Sequence, residues 1–276
     1  MSATSSSALA EPATVLVIDA GNTNVAFAVY AGTERLGRWR IATDARRTAD
    51  EYAVWLTQLL QLQGLDRHVI GDAVIASVVP GVTESLKRLC TAYFAGPPLV
   101  AGEDGVGFDI PVRLDRPEEI GADRLVNAVA AHERYGGPCV VVDFGTATTF
   151  DIVAADGGYE GGVIAPGIHA SMDALYAAAA KLPGVAIKRP DRVIGKRTVP
   201  AIQSGVFWGY MGLVEGLLAR IRSEHGGAPT VVATGGLAAM FEPETRAIDH
   251  VDPDLTLRGL RRLAERQRAA ERAAPG

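Results

Sequence analysis

Four branched apolar residues, Val15 to Ile18, run without interruption, and the pattern then breaks at Asp19 and the small, polar stretch Ala20-Gly21-Asn22-Thr23-Asn24. Apolar positions resume from Val25 to Tyr30. An unbroken branched run predicts a strand buried on both faces, and its resumption after a glycine-containing turn predicts a second strand paired with it. The pattern returns in CVVVDFGTATTFDIV, residues 139–153. Setting Asp19 against Asp143, 124 residues on, sets Gly21 against Gly145 and Asn22-Thr23-Asn24 against Thr146-Ala147-Thr148. One such turn is ordinary, because Asp and Asn organise many hairpins through Asx-turns. Two, separated by nearly half the chain, predict a duplicated unit whose strand ends each carry a carboxylate.

The rest of the chain alternates helical and strand patterns. In the first half, 49–63 has helical spacing (Tyr52, Leu56, Leu59, Leu60), 72–79 reads as a strand, and 82–95 and 122–135 read as helices, the last stopped by Gly136. In the second half, 170–181 and 201–223 are helical by period, and 230–233 is a short strand running into Thr234-Gly235-Gly236. A last helix is predicted over 257–274, its Arg, Glu and Ala residues reading as a solvated face. This rhythm predicts an α/β fold. The expected organisation is an extension over 1–13, subdomains over 14–136 and 137–260, and a helical tail over 261–276.

Composition narrows the partners. Of 276 residues, 48% are hydrophobic but only 6% aromatic, so Val, Ala, Leu and Ile must fill the core. A net charge of −5 argues against a nucleic-acid or anionic-membrane partner. No apolar run reaches the length of a membrane span. The opening MSATSSSALAEPA lacks the basic start and apolar stretch of a secretory signal and is expected to be disordered, with the protein in the cytoplasm. Cys90 and Cys139 are too few for a disulfide framework and lack metal-site spacing.

The paired turns have the chemistry of a nucleotide grip. Phosphates call for glycine turns that expose backbone N–H groups, hydroxyls and amides that donate, and a carboxylate that holds Mg²⁺ through water. Two such turns facing one another across a cleft would supply this from both sides. At Ala233-Thr234-Gly235-Gly236 a base or ribose could lie against the backbone at a helix start, although an ordinary helix cap has the same composition. Neither GxxxxGK[ST] nor GxGxxG is present. In EEIGADRLVN, residues 118–127, Asp123 and Arg124 occupy the first turn of a helix. An Asp there could merely offset the helix dipole; in this company it could take the proton from a substrate hydroxyl, while the planar Arg124 fork suits a carboxylate or phosphate.

Seven motifs in order resemble the type III pantothenate kinase family: DxGNT (19–23), GADR (121–124), DFGTATT (143–149), the loop GGVIAPG (161–167), KRTVPAIQSG (196–205), ATGGLA (233–238) and DPDLTLRGL (252–260). The resemblance spans about Val15 to Leu260. It implies duplicated ribonuclease H-like domains of the actin, hsp70 and sugar kinase type, with the active site in the cleft between them. It also implies ATP-dependent phosphorylation of pantothenate on its primary hydroxyl, the first step towards coenzyme A. By motif position, Asp19, Ala20, Gly21, Asn22, Thr23, Asn24, Val25, Ala26 and Thr146 would meet ATP, with Gly235 and Gly236. Gly121, Ala122, Asp123 and Arg124 would meet pantothenate, with Asp123 accepting the proton. Asp143 would hold the monovalent cation, K⁺ or NH₄⁺, with Asp19 nearer Mg²⁺. Thr198 would reach the substrate across a homodimer interface.

The chain departs from the family pattern within GVGFDIPVRLDRP, residues 105–117. Gly107-Phe108-Asp109 stands where relatives usually carry Lys-Thr-Gly, Leu114 where they carry a substrate-side Tyr, and Arg116 where they carry Asn; Ala186 stands for a common Glu. Arg113 and Arg116 are the cations available to replace the lysine. Two further readings share the fold: a non-catalytic factor in transcriptional regulation, and a kinase for another small hydroxy-acid or amide. Turnover separates them from the first; nucleotide binding does not.

Overall fold

The computed structural model describes residues 14–94, 96–103, 106–179 and 182–273; the extension expected over 1–13 lies outside them. Its opening run forms β1 (Thr14–Ala20), paired antiparallel with β2 (Asn24–Ala31), which pairs antiparallel with β3 (Glu34–Ala42). Helix α1 (Ala49–Leu62) begins with a capping box in which Thr48 and Glu51 each satisfy the other's backbone N–H. Next come β4 (Ile70–Ser77), parallel to β1, α2 (Pro80–Tyr93), with its proline in the first turn, and β5 (Leu99–Val100), parallel to β4. The sheet order is β3-β2-β1-β4-β5.

After α3 (Ala122–Tyr135), the chain builds the same sheet again. Strands β6 (Cys139–Phe144), β7 (Ala147–Val153) and β8 (Tyr159–Pro166) form an antiparallel meander. Helices α4 (Ile168–Ala178) and α5 (Thr198–His225) lead to β9 (Thr230–Gly235), parallel to β6. A single turn, α6 (Ala238–Phe241), precedes β10 (His250–Val251) and the final α7 (Leu255–Ala273). The order β8-β7-β6-β9-β10 repeats the first sheet strand for strand and in pairing sense.

Register corrects one alignment. Ala20 pairs with Val25, whereas Phe144 pairs with Thr148, so the second turn is one residue shorter. The 124-residue offset therefore holds to Gly145, and beyond it Asn24 corresponds to Ala147. Most of GGVIAPG, read as a loop, is strand β8.

The described chain falls into two units. The first comprises residues up to Phe108, Gly121–Val126 and those from Thr256 on; the second is Asp109–Ile120 with Asn127–Leu255. In the first, Leu16, Ile18 and Phe27 face Tyr52, Leu56 and Leu86 of α1 and α2. The alternate residues Val15, Val17 and Ala28 pack with Val126 of α3 and Leu257, Leu260 and Leu263 of α7. In the second, Val140, Val142 and Phe150 pack against Phe207, Met211 and Val214 of α5. Both cysteines are buried, Cys90 within the first unit's core, and desolvation pushes each thiol up to about 12.

Asp109, where the chain leaves the first unit, has φ +53. Asp is among the few residues other than glycine that tolerate this left-handed region. Asp109→Val is therefore expected to cost about 1–2 kcal/mol while Asp109→Gly stays near neutral, as urea unfolding would measure.

Candidate active site

Alternation along β1 puts Asp19 on the same sheet face as Val15 and Val17, the face covered by α3 and α7. The turn beyond it is braced from the end of β3. Thr43 Oγ1 donates to the Gly21 carbonyl at 2.6 Å, the Thr43 N–H donates to the Thr23 carbonyl at 3.0 Å, and the Gly21 N–H closes onto Asn24 O at 3.0 Å. Asn22 and Thr23 are exposed at its tip. Val25 and Ala26 are core residues, so only their backbones could meet a ligand.

The duplicate turn has different neighbours. Asp19 is flanked in register by Ala26 and Ala76, whereas Asp143 is flanked by Thr149 and Thr234. Thr149 also donates to the buried Asp151 at 3.1 Å, and Tyr159 OH donates to the same carboxylate at 2.7 Å. Thr148, on the opposite face, shares a hydrogen bond with Tyr210 OH of α5. Burial raises the Tyr210 phenol above its ordinary pKa, opposed by that hydrogen bond and reinforced by the Asp143 charge. Gly235 (φ +88) closes against this site: a Cβ there would lie 2.5 Å from Asp143 Oδ1 and 2.6 Å from Phe144 O. The helix expected after it is the single turn α6, and its Leu237 N-cap makes no side-chain cap, so no extended dipole stands behind Gly235 and Gly236.

Gly121, Ala122, Asp123 and Arg124 open α3, as the spacing predicts. The Asp123 carboxylate folds back over Gly121, where a Cβ would lie 2.5 Å from Oδ1, and accepts the Arg124 N–H at 2.9 Å. Val78 is also close to Gly121, and the Val78 N–H donates to Ala20 O at 3.1 Å, so this helix start lies beside the ends of β4 and β1. Desolvation raises the Asp123 pKa, outweighing the opposing Arg124 N–H and guanidinium. A carboxylate raised towards neutrality is a better proton acceptor than an exposed one.

The departing stretch is held locally. Phe108 packs into the first unit's core, and its carbonyl accepts from Arg266 at 2.9 Å. Beyond Asp109, Val112 bridges Tyr159, with Arg113 N–H to Tyr159 O and Tyr159 N–H to Pro111 O both at 2.8 Å. Leu114 lies against Gly161. The two candidate cations meet surface carboxylates: Arg113 pairs with Asp156, whose carboxyl it pulls down to about 2, and Arg116 pairs with Glu119 at 2.8 Å.

The first unit thus gathers Asp19 to Ala26 with Gly121 to Arg124, and the second carries Leu114, Asp143, Thr146, Thr198, Gly235 and Gly236. Thr198 is the exposed first residue of α5. Sequence reasoning missed Thr149, Thr234 and Tyr210 as neighbours of the second turn. Strand register would have found the two threonines; Tyr210, 62 residues from Thr148, has no local signal.

The sequence model of type III pantothenate kinase matches residues 15–220. A type III pantothenate kinase of Paramagnetospirillum magneticum is 60% identical over 252 residues, covering 91% of this chain and 97% of that protein. One from Rhodospirillum rubrum is 57% identical over 246 residues, covering 89% and 96%. Among solved structures, MreB 5 of Spiroplasma citri bound to AMPPNP matches with a TM-score of 0.55 over 96% of this chain and 100% of that one. At 10% identity this likeness shows the fold alone: two domains of the actin, MreB and sugar kinase type.

Proposed function

The chain belongs to the type III pantothenate kinase family, an enzyme family that phosphorylates pantothenate with ATP at the first step towards coenzyme A, and we propose how its residues divide that work. The observation that carries this division is the Asp123 carboxylate, folded back over Gly121 at the start of a helix on the Asp19 face of the first sheet, where burial raises its pKa. As the primary hydroxyl of pantothenate attacks the γ-phosphorus of ATP, its proton passes to an Asp123 carboxylate oxygen and the bond to the ADP oxygen breaks. Arg124 pairs with the pantothenate carboxylate, Gly121 and Ala122 offer backbone at the helix start, and Leu114 supplies an apolar contact.

Backbone from Asp19 to Ala26, the Asn22 and Thr23 side chains, Thr146, Gly235 and Gly236 hold the nucleotide. A divalent ion, Mg²⁺, suits Asp19 through water together with the phosphates, and when bound it neutralises phosphate charge. Asp143 Oδ1 and Phe144 O both lie close to Gly235, and we assign the monovalent cation, K⁺ or NH₄⁺, to this oxygen pair.

Two copies of the chain complete the substrate site. An apolar groove of about 520 Å³ between α4 and α5, lined by Ile168, Leu175, Ile202, Val206 and Leu213, fits a second copy. Thr198 at the start of α5 would be presented to the partner. Among the described residues no helix is long and apolar enough to cross a membrane, and we assign the reaction to the cytoplasm.

The test is ADP release from Mg²⁺–ATP with and without pantothenate, in K⁺ and in Na⁺, on protein whose mass is measured by sedimentation. Pantothenate-dependent release by a dimer, at least tenfold faster in K⁺, is expected. ATP binding without pantothenate-dependent turnover would overturn the kinase assignment; equal rates in the two salts would remove only the cation role.

A further inference from the structure

Helices α3 and α7 meet backbone against backbone where Gly259 faces Val126. A Cβ built on Gly259 would lie 2.5 Å from the Val126 carbonyl oxygen and 2.5 Å from its Cγ1. The methyl could rotate aside, but the carbonyl belongs to the helix and cannot, so a larger residue forces the helices apart. Leu257, Leu260, Leu263 and Ala264 anchor α7 in the core with Val15, Val17 and Val74. Residues 125–131 of α3 are buried as well, whereas its start is looser: Gly121, Ala122 and Asp123 are half-buried. Separation is therefore taken up most easily at the start of α3, and Asp123 is one turn before Val126.

We propose that Gly259 is a positioning residue for Asp123: its missing side chain lets α3 seat against α7 at the depth that presents and buries the carboxylate. The inference rests on the reading of Asp123 as proton acceptor. A misplacement of about 1 Å can cost 10²-fold in rate, because proton transfer depends on hydrogen-bond reach. The nucleotide turns lie on the strand ends rather than on α3, so ATP binding is separable from this effect.

The experiment compares wild type with Gly259→Ala, Val126→Leu and Leu263→Ala. The second enlarges the same contact from the α3 side. The third damages α7 packing one turn away and reports general destabilisation. Expected for the first two are a 10- to 100-fold fall in kcat, a KM for ATP within twofold of wild type, and an acid limb of the pH–rate profile displaced to lower pH. That displacement follows from exposing Asp123, whose charged neighbour Arg124 lies on the same helix. Leu263→Ala should lower thermal stability and leave the limb in place. Wild-type kcat and limb in either contact variant would overturn the proposal, as would an equal displacement in Leu263→Ala. A ¹³C carboxyl titration of Asp123 in the same proteins reads its burial without turnover, so failure of the crossing is distinguishable from failure of the kinase assignment.

Discussion

Asp123→Asn is expected to lower kcat by about 10²–10⁴-fold while raising the thermal midpoint at neutral pH. The loss follows from chemistry: an amide cannot accept the hydroxyl proton, and the positioned nucleotide alone supplies the remainder. The gain follows from linkage. Burial raises the Asp123 pKa, so protonation is favoured more in the folded protein than in the unfolded chain. That preference stabilises the fold at low pH and is lost as pH rises through the folded-state pKa, above which the ionised group is a cost. Asn carries no such cost. The stability gap between variant and wild type should therefore be largest near neutrality and close as pH falls. Kinetics and calorimetry across pH check both halves; unchanged kcat would remove Asp123 from the mechanism, and a gap that widened with acid would contradict its raised pKa.

Gly235→Ala is expected to damage the second turn more than its size suggests. The left-handed backbone costs a Cβ-bearing residue about 1–2 kcal/mol. Crowding against Asp143 Oδ1 and Phe144 O adds about 1–3 kcal/mol, as overpacking typically does. Both crowded atoms belong to the pair assigned to the monovalent cation, so the K⁺ concentration for half-maximal activity should rise at least tenfold together with the fall in thermal midpoint. Activity titrated with K⁺ and a melting curve separate the effects. A lowered midpoint with unchanged K⁺ response would leave Gly235 as a packing residue and withdraw the cation from Asp143.

Most of this was legible in the chain wherever local pattern and tertiary burial agree. Branched runs at Val15–Ile18 and Cys139–Val142 had to be buried strands, and the paired Asp–X–Gly turns announced the duplication before any coordinate. The start of α3 carried its own signals in Gly121 and Asp123. Failures fell where burial is partial. Strand β3, ERLGRWRIA, is an edge strand with exposed charges and offers no apolar run. Strand β8, YEGGVIAP, contains two glycines and alternates only weakly, so composition made it a loop. In the Arg-rich α7 the Arg, Glu and Ala residues read as a solvated face, and six arginines mask a narrow stripe of Leu257, Leu260 and Leu263. Ion pairs explain how so many are accommodated: Arg261 and Arg262 bond Glu265, and Arg268 bonds Asp72. The departures at 107–116 gave no hint that Asp109 takes a left-handed backbone conformation, which only the backbone angle reveals.

The place of α7 in the first unit has a consequence for how the protein is made. Strands β1 and β4 leave the ribosome well before α7, the helix that covers Val15, Val17 and Val74. At about 5–20 residues per second, translation would take on the order of ten seconds or more to deliver that cover, leaving nascent apolar surface open to chaperones or to neighbouring chains. A chain truncated before Leu255 would retain every strand among the described residues and still lack a wall of its first core, so premature termination should yield aggregated rather than weakly active protein.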